Sequence, residues 1–159
     1  MKSLIVYDSQ FGNTKKVAEA IGGVLGKSGR VFLIRASNVQ PGDMSGLNLL
    51  VVGSPTQQFT ATSEVKSWLN RLPADSLRGV RAAAFDTRFT QEKINEVKIL
   101  GYLVKVFGYA AEPIAQRLEK KGAALVLQPE GFYVGDTEGP LLEKELERAV
   151  EWAENLVMK

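Results

Sequence analysis

Short apolar runs alternate with amphipathic segments along the whole chain. The first run, LIVY at positions 4–7, is apolar without interruption, which is typical of a strand buried on both faces of a parallel sheet. Similar runs at 31–34, 49–53, 80–85 and 123–127 predict four further strands. The pattern therefore predicts five short strands, each followed by a longer and more polar connection.

Helical periodicity fills most of these connections. Helices are predicted after the first strand and over 65–72, 113–121 and 141–157. Thr62 or Ser63 is the expected N-cap of the second helix, and Pro73 ends it. The closing helix is expected to bury an apolar stripe made of Leu142, Leu146, Ala149 or Val150, Ala153 and Leu156.

The segment 92–107 lies between the fourth strand and the third of these helices. Its apolar residues Ile94, Val97, Leu100 and Val104 come close to helical spacing. Such a segment either packs a helix on the sheet, covers a bound ligand or docks a partner. The sequence leaves these alternatives open.

Strands that alternate with helices, without a repeat or a linker, predict one domain over residues 1–159. The expected architecture is a doubly wound parallel sheet of the α/β class with right-handed crossovers. In such sheets ligands bind at the carboxyl ends of the strands, near the point where the strand order reverses. The loops that follow the first, third and fourth strands are therefore the candidate site.

Composition excludes several kinds of chemistry. The 159 residues include no cysteine and no histidine, so a disulfide, a thiolate nucleophile and the usual general base near neutral pH are missing. A net charge of +2, with basic and acidic residues interspersed, argues against nucleic acid as the main ligand. No stretch approaches the about 18 apolar residues of a membrane span, and the first apolar run is too short for a signal peptide. We therefore expect a cytoplasmic protein.

The polar loop after the first strand has the composition of an anion site. Ser9 to Thr14 supplies hydroxyls, amides and one glycine directly before a helix N-terminus. There the first backbone N–H groups lack intrahelical partners and the helix dipole is positive, which favours a phosphate dianion. The alternative is that Ser9, Asn13 and Thr14 only cap the helix.

Two further polar loops are predicted at 54–60 and 86–90, after the third and fourth strands. Both are longer and more polar than a simple connection requires, and each carries an aromatic residue, Phe59 and Phe89 respectively. Phosphate donors, amides and aromatic rings together fit a flat heteroaromatic mononucleotide. Either Phe by itself would serve equally well as a loop anchor packed on the core.

The stretch YDSQFGNTKKVAEAI resembles the flavin-phosphate motif of the flavodoxin-like family, in which Ser/Thr-x-x-Gly-x-Thr follows the first strand. VVGSPTQ is similar to the second loop of that family, and the likeness extends over nearly the whole chain. It implies a five-stranded sheet in the order 2-1-3-4-5, with FMN as the cofactor. The lack of a compact insertion in the fifth strand resembles the short-chain members.

The resemblance also implies a set of cofactor-binding residues. The FMN phosphate would be held by the first loop, Ser9, Gln10, Phe11, Gly12, Asn13 and Thr14. The isoalloxazine ring would lie beside Pro55, Thr56, Gln57 and Phe59. Its pocket would be completed by Asp86, Thr87, Arg88 and Phe89. Neither a catalytic side chain nor a metal ion is implied.

Three functions are compatible with these residues. The favoured one is an electron carrier, in which FMN performs the redox chemistry and the protein exchanges electrons with redox partner proteins. An FMN-dependent reductase that oxidises a nicotinamide cofactor and reduces quinones or similar acceptors is the second, and a redox-silent ligand-binding module is the third. The lack of a second nucleotide motif favours the carrier. Neither nucleic acid nor membrane insertion is expected.

Overall fold

The computed structural model describes residues 1–96, 98–99, 102–103 and 108–159. Its strands are β1 (Lys2–Tyr7), β2 (Arg30–Arg35), β3 (Leu49–Pro55), β4 (Arg81–Phe89), β5 (Ala124–Leu125) and β6 (Glu130–Val134). Its α-helices in the described ranges are α1 (Asn13–Leu25), α2 (Ser63–Arg71), α3 (Gln91–Asn95), α4 (Ala111–Lys120) and α5 (Glu145–Met158). Short 3₁₀ helices cover Gly26–Ser28, Ala36–Asn38 and Pro41–Met44.

The strands form one parallel sheet in the order β2-β1-β3-β4-β5, with β6 also paired to β4. This confirms the predicted fold class and strand order. Helices cover both faces of the sheet: α1 and α5 pack on one face, and α2 and α4 pack on the other. Leu4, Ile5 and Val6 of β1 are fully buried although they point alternately to the two faces. A sheet that is covered on both sides therefore explains the uninterrupted apolar runs of the inner strands, whereas Phe32 and Leu33 of the edge strand β2 are exposed.

The fifth position of the sheet differs from the prediction. The expected strand at 123–127 is reduced to β5, which pairs with the start of β4, and the chain leaves the ladder after Val126, whose N–H donates to the Ala82 carbonyl at 3.0 Å. Pro129 has no N–H to donate to a ladder, and pairing resumes directly after it, at Glu130. The chain rejoins β4 as β6, which the sequence pattern missed because the strand begins with Glu130 and Gly131 and only three apolar residues follow.

The fourth strand is longer than predicted. The sequence pattern ends it at Phe85 and expects a loop at 86–90, and this expectation is wrong because β4 continues through Phe89. The extension is paired on both sides, with Ser54 and Pro55 of β3 on one edge and with β6 on the other. The polar residues after Phe85 thus belong to a strand.

The closing helix begins later than predicted. The chain at Leu141 pairs with Val134 as an isolated bridge, and Lys144 adopts a left-handed backbone with φ 68° before α5 begins. Leu142 and Leu146 are therefore exposed, contrary to the prediction. The buried stripe of α5 contains Glu145, Ala149, Trp152, Ala153 and Leu156.

Part of the predicted helical segment at 92–107 cannot be compared with the structure, because Val97, Leu100 and Val104 lie outside the described residues. Ile94 belongs to the short helix α3 and is buried. Among the helices that the structure describes, none has the length and apolar character that a membrane crossing requires.

Gly53 provides a test of how β3 packs against its neighbour. It pairs with Phe85 of β4, and a Cβ at this position would overlap the Phe85 ring. That ring is fully buried and packs edge-on against Phe132 and Trp152. We expect Gly53→Ala to lower the free energy of unfolding by about 1 to 3 kcal/mol. Chemical denaturation measures this change.

The matched control is Gly23→Ala in α1. Gly23 is exposed within the helix, and a Cβ there meets no other atom within 4 Å. Because alanine is the better helix former, this variant should gain about 0.5 to 1 kcal/mol of stability. A stable Gly53→Ala protein would show that the Phe85 ring can move aside.

Candidate functional site

A cavity of about 580 Å³ opens at the carboxyl edge of the sheet. It contains most of the predicted site residues. From the first loop it is lined by Ser9, Gln10, Phe11, Asn13 and Thr14. From the other two segments it is lined by Pro55, Thr56, Gln57, Thr87, Arg88 and Phe89. The structure thus brings three distant stretches of sequence to one pocket, as the strand-end rule for open α/β sheets requires.

The start of α1 forms one wall of this cavity. Its N-cap residue, Gly12, has a left-handed backbone with φ 92°, which glycine adopts at little cost, and it offers no side chain to cap the helix. The Ser9 hydroxyl accepts hydrogen bonds from the Gly12 N–H at 3.1 Å and from the Lys15 N–H at 3.3 Å. Ser9 thus holds the loop closed around the helix end, and the N–H groups of Asn13 and Thr14 remain for an anion.

Thr14 of α1 contacts a residue of β4 at the floor of the cavity. Its hydroxyl lies 2.9 Å from the hydroxyl of Thr87 in β4, and both side chains are buried. Since a hydroxyl that accepts one hydrogen bond still has its own proton to give, one member of the pair can donate to a bound anion. Thr87 therefore contributes to the anion site of the first loop, whereas the sequence resemblance placed it in the ring pocket.

A tight turn forms the wall across from α1. The backbones of Gln57 and Thr60 exchange two hydrogen bonds of 2.9 Å, and the two residues between them, Gln58 and Phe59, both have positive φ. This is the geometry of a type I′ turn, which normally favours glycine or asparagine. The Gln57 side chain also donates to the side chain of Gln10, so the turn is joined directly to the first loop.

Asp86 and Arg88 form a buried ion pair beneath the cavity. Arg88 donates to both carboxylate oxygens of Asp86, at 2.6 and 2.7 Å, and stacks on the ring of Tyr109. The Ala111 N–H at the start of α4 donates to the same carboxylate at 2.9 Å. Burial raises the pKa of the Asp86 carboxyl, and the hydrogen bonds from Arg88 and Ala111 oppose that rise. The pair thus ties the end of β4 to α4.

Three of the predicted site residues do not line the cavity. Gly12 shapes the backbone of the first loop, Phe59 lies within the tight turn, and Asp86 is fully buried below the surface. Arg88, which shares the ion pair, does reach the cavity wall. Asp86 therefore acts on the site through Arg88.

Several lining residues were missed by the sequence analysis: Gln58, Thr60, Ala61, Thr62, Ser63, Lys66, Val134 and Thr137. Gln58 and Thr60 lie within the predicted 54–60 loop, whereas Ala61, Thr62 and Ser63 follow it at the start of α2. Lys66 lies one turn into α2, where only the three-dimensional direction of the helix shows that it lines the cavity. Val134 and Thr137 follow from β6, which the pattern did not predict.

The segment 135–140 closes the cavity near α1. The Asn13 amide donates to the backbone carbonyl of Glu138 at 3.0 Å, and a Cβ on Gly139 would lie 2.6 Å from that amide. On the other side, Lys93 donates to the carbonyl of Gly135 at 2.9 Å and lies 3.5 Å from the Asp136 carboxylate. The Thr137 N–H and Lys93 lower the pKa of Asp136. Asn13 is thus engaged in holding this segment.

The described lining residues give the cavity a clear electrostatic character. They include two basic side chains, Lys66 and Arg88, of which Arg88 is paired with Asp86, and no carboxylate. The two helix starts at its walls add partial positive charge. The cavity is therefore suited to an anionic ligand with a flat apolar part, because Phe11, Pro55 and Phe89 supply apolar surface beside the hydroxyls and amides.

Comparison with known proteins is consistent with this geometry. The family model described as "Flavodoxin domain" matches residues 4–124. Oxidised flavodoxin 1 from Bacillus cereus has a TM-score of 0.78 at 18% identity, over 99% of this chain and 98% of that chain. A flavodoxin from the domain Archaea has a TM-score of 0.69 at 23% identity, over 99% of both chains.

A larger protein contains a similar unit. The rubredoxin:oxygen oxidoreductase of Desulfovibrio gigas has a TM-score of 0.73 at 18% identity, over 99% of this chain and 35% of that chain. No curated protein sequence matches the chain. At these identities the solved structures show a shared fold.

The Asp86 carboxylate provides a test of the support beneath the cavity. Both of its oxygens accept hydrogen bonds, whereas the amide of asparagine offers a single acceptor oxygen. Asp86→Asn should therefore leave a buried donor unpaired and lower the free energy of unfolding by about 2 to 4 kcal/mol, measured by chemical denaturation. In the control, Asp75→Asn, the exposed pair with Arg78 is lost and the change should stay below about 1 kcal/mol. Equal changes would contradict the role given to Asp86.

Proposed function

This chain belongs to the flavodoxin-domain family, and from that premise we propose that it binds FMN and transfers electrons between redox partner proteins. The observation that carries the proposal is a single cavity that joins the start of α1, whose N-cap is a glycine, to an aromatic and amide-rich wall. Bound FMN would supply the electron-accepting ring, and the protein would supply binding, orientation and electrostatics.

The start of α1 fits the phosphate group. Its free N–H groups, the Thr14–Thr87 hydroxyl pair and the absence of carboxylates among the described lining residues all favour a dianion there. Ser9 supports this loop through its hydrogen bonds to the backbone. The side-chain amide of Asn13 holds the 135–140 segment, and its backbone N–H would contribute to binding the phosphate.

The remaining lining residues fit the flavin ring. Pro55, Thr56 and Gln57 lie on one side of the cavity, and Arg88 and Phe89 come from β4. Thr56 is held rigidly, since its N–H donates to the Thr87 carbonyl at 2.9 Å and its hydroxyl accepts from the Ala110 N–H at 3.1 Å. The loop backbone therefore has a defined position from which to hydrogen-bond a planar heterocycle.

The residue types in the cavity favour a carrier over an enzyme. The chain contains no histidine or cysteine, and the lining residues that the structure describes include no carboxylate. Proton transfer by a side chain near neutral pH is therefore poorly supported. An electron carrier requires no such group, because the flavin itself accepts the electrons.

Purification tests the cofactor directly. We expect a yellow protein that releases one FMN for each chain on denaturation, identified by chromatography against FMN, FAD and riboflavin standards. For colourless preparations, titration of the protein with FMN should quench the flavin fluorescence at a saturable, stoichiometric end point. Absence of both results would reject the cofactor.

Anaerobic mixing separates the carrier from the reductase. We expect the flavin absorbance of the FMN-loaded protein to persist when NADH or NADPH is added alone, and to fall when a flavodoxin reductase is also present. Fast bleaching by the nicotinamide cofactor alone, followed by electron transfer to a quinone, would replace the carrier by the reductase.

Substitution of Thr14 tests the phosphate site. A hydrogen bond to a charged group contributes roughly 1.5 to 3 kcal/mol, so Thr14→Val should weaken FMN binding about tenfold or more. Binding of riboflavin, which lacks the phosphate, should change much less, and Thr14→Ser should retain most of the affinity because it keeps the hydroxyl. Fluorescence titration measures the affinity of the wild type and of both variants for each flavin. Equal losses for the two flavins would show that the loop serves only as a helix cap.

A further inference from the structure

Arg88 is held in one position at the wall of the cavity. Its guanidinium donates to both carboxylate oxygens of Asp86, and its Cζ lies 3.8 Å from the centre of the Tyr109 ring. On the side of β6 it packs against Gly131, where the guanidinium leaves no room for a Cβ. The Arg88 side chain is only 12% exposed. Contacts on three sides therefore leave the guanidinium little freedom to move.

The ion pair presents its positive end to the cavity. Asp86 is fully buried and accepts hydrogen bonds from Arg88 and from the Ala111 N–H, and of the two charged residues only Arg88 lines the cavity. Since the Coulomb energy falls with distance, the cation at the wall outweighs the deeper carboxylate. Glu112 lies 3.9 Å from the guanidinium, but its side chain is half-exposed and solvent screens its charge.

Reduction changes the charge of a flavin ring. Two electrons and one proton, added to the neutral oxidised ring near neutral pH, leave it with one negative charge. A cation beside the ring therefore stabilises the reduced form more than the oxidised form. The phosphate carries the same charge in both forms, so its interactions with the protein cancel when the two affinities are compared.

We propose that Arg88 raises the reduction potential of FMN in this cavity, and that Asp86 is the positioning residue that fixes the guanidinium there. The inference rests on the proposed function, in which the flavin ring lies beside Arg88 and Phe89. A charge that is already in place stabilises the reduced ring without any rearrangement of the protein. The carrier thereby accepts electrons more readily from its donor protein.

The test compares the affinities for oxidised and reduced FMN. Fluorescence titration gives the Kd of oxidised FMN. Anaerobic equilibration with a dye of known potential gives the midpoint potential of the bound FMN, and its difference from that of free FMN gives the ratio of the two Kd values. A residue that only supports the pocket changes both affinities equally, whereas a charge beside the ring changes their ratio.

A double variant removes both charges of the pair. Asp86→Asn combined with Arg88→Gln leaves two amides that can hydrogen-bond each other, and the asparagine oxygen can still accept from the Ala111 N–H. The affinity for oxidised FMN should be largely unchanged. Binding of reduced FMN should weaken about tenfold, which corresponds to a potential lower by about 30 mV for a two-electron couple.

The matched control makes the same two changes in an exposed ion pair. Asp75→Asn combined with Arg78→Gln acts on residues that precede β4, at the edge of the sheet opposite the cavity. Both affinities should equal those of the wild type, because the distance and the solvent screen these charges from the ring.

Two single variants separate charge from support. Asp86→Asn leaves Arg88 without its counter-charge, so the potential should rise rather than fall. Arg88→Lys keeps the charge but loses the two-point hydrogen bond, and its potential should lie nearer to the wild type than that of the double variant. If Asp86→Asn does not fold, the double variant still decides the matter, because it leaves neither charge buried alone.

Other outcomes overturn the inference. Equal losses of affinity for oxidised and reduced FMN in the double variant would leave Arg88 as a structural support only. An unchanged potential in the double variant, or a lower potential in Asp86→Asn, would contradict the charge effect. A wild-type protein that binds no FMN would reject the proposed function and this inference with it, whereas a wild type that binds FMN and variants that fail the test would reject the inference alone.

Discussion

Parallel pairing of β4 along both edges is the constraint on which the rest of the structure depends. β3 holds the strand as far as Thr87, and β6 holds it from Phe85 to Phe89. The ladder therefore continues to the cavity and keeps successive side chains in strict alternation. Thr87 faces α1, while Asp86 and Arg88 face α4. A loop at this place would leave these directions undefined, so the sheet itself gives the site its geometry.

The same alternation places Asp86 and Arg88 on one face of β4 and Thr87 on the other. On one face, the buried ion pair of Asp86 and Arg88 receives the first N–H group of α4 and fixes that helix against the strand. On the other face, Thr87 meets Thr14 at the cavity floor. The Asp86 carboxylate is buried below the cavity and paired with Arg88. Of the two residues, only Arg88 lines the cavity wall. This arrangement favours anionic ligands over the whole pocket.

Local signals in the sequence determined much of this protein. Four of the apolar runs correspond to β1 to β4. In β1, β3 and β4 the run is buried on both faces of the sheet, whereas the run in the edge strand β2 leaves Phe32 and Leu33 exposed. The polar loop from Ser9 to Thr14 was assigned to an anion site from its own composition and its position before a helix. Most residues of the three predicted site segments line one cavity, since carboxyl ends of neighbouring parallel strands meet at one edge.

Tertiary structure decided what depends on partners distant in sequence. Residues 86–89 have the polar composition of a loop, and only pairing with β3 and β6 makes them a strand. The start of α5 was misplaced because Leu141 bridges to Val134, which shifts the buried stripe away from Leu142 and Leu146. Lys66 carries no local sign of a ligand, since its contact with the cavity depends on the direction in which α2 leaves the sheet. Composition and periodicity determine elements, whereas side-chain direction at a site is determined by the elements packed against it.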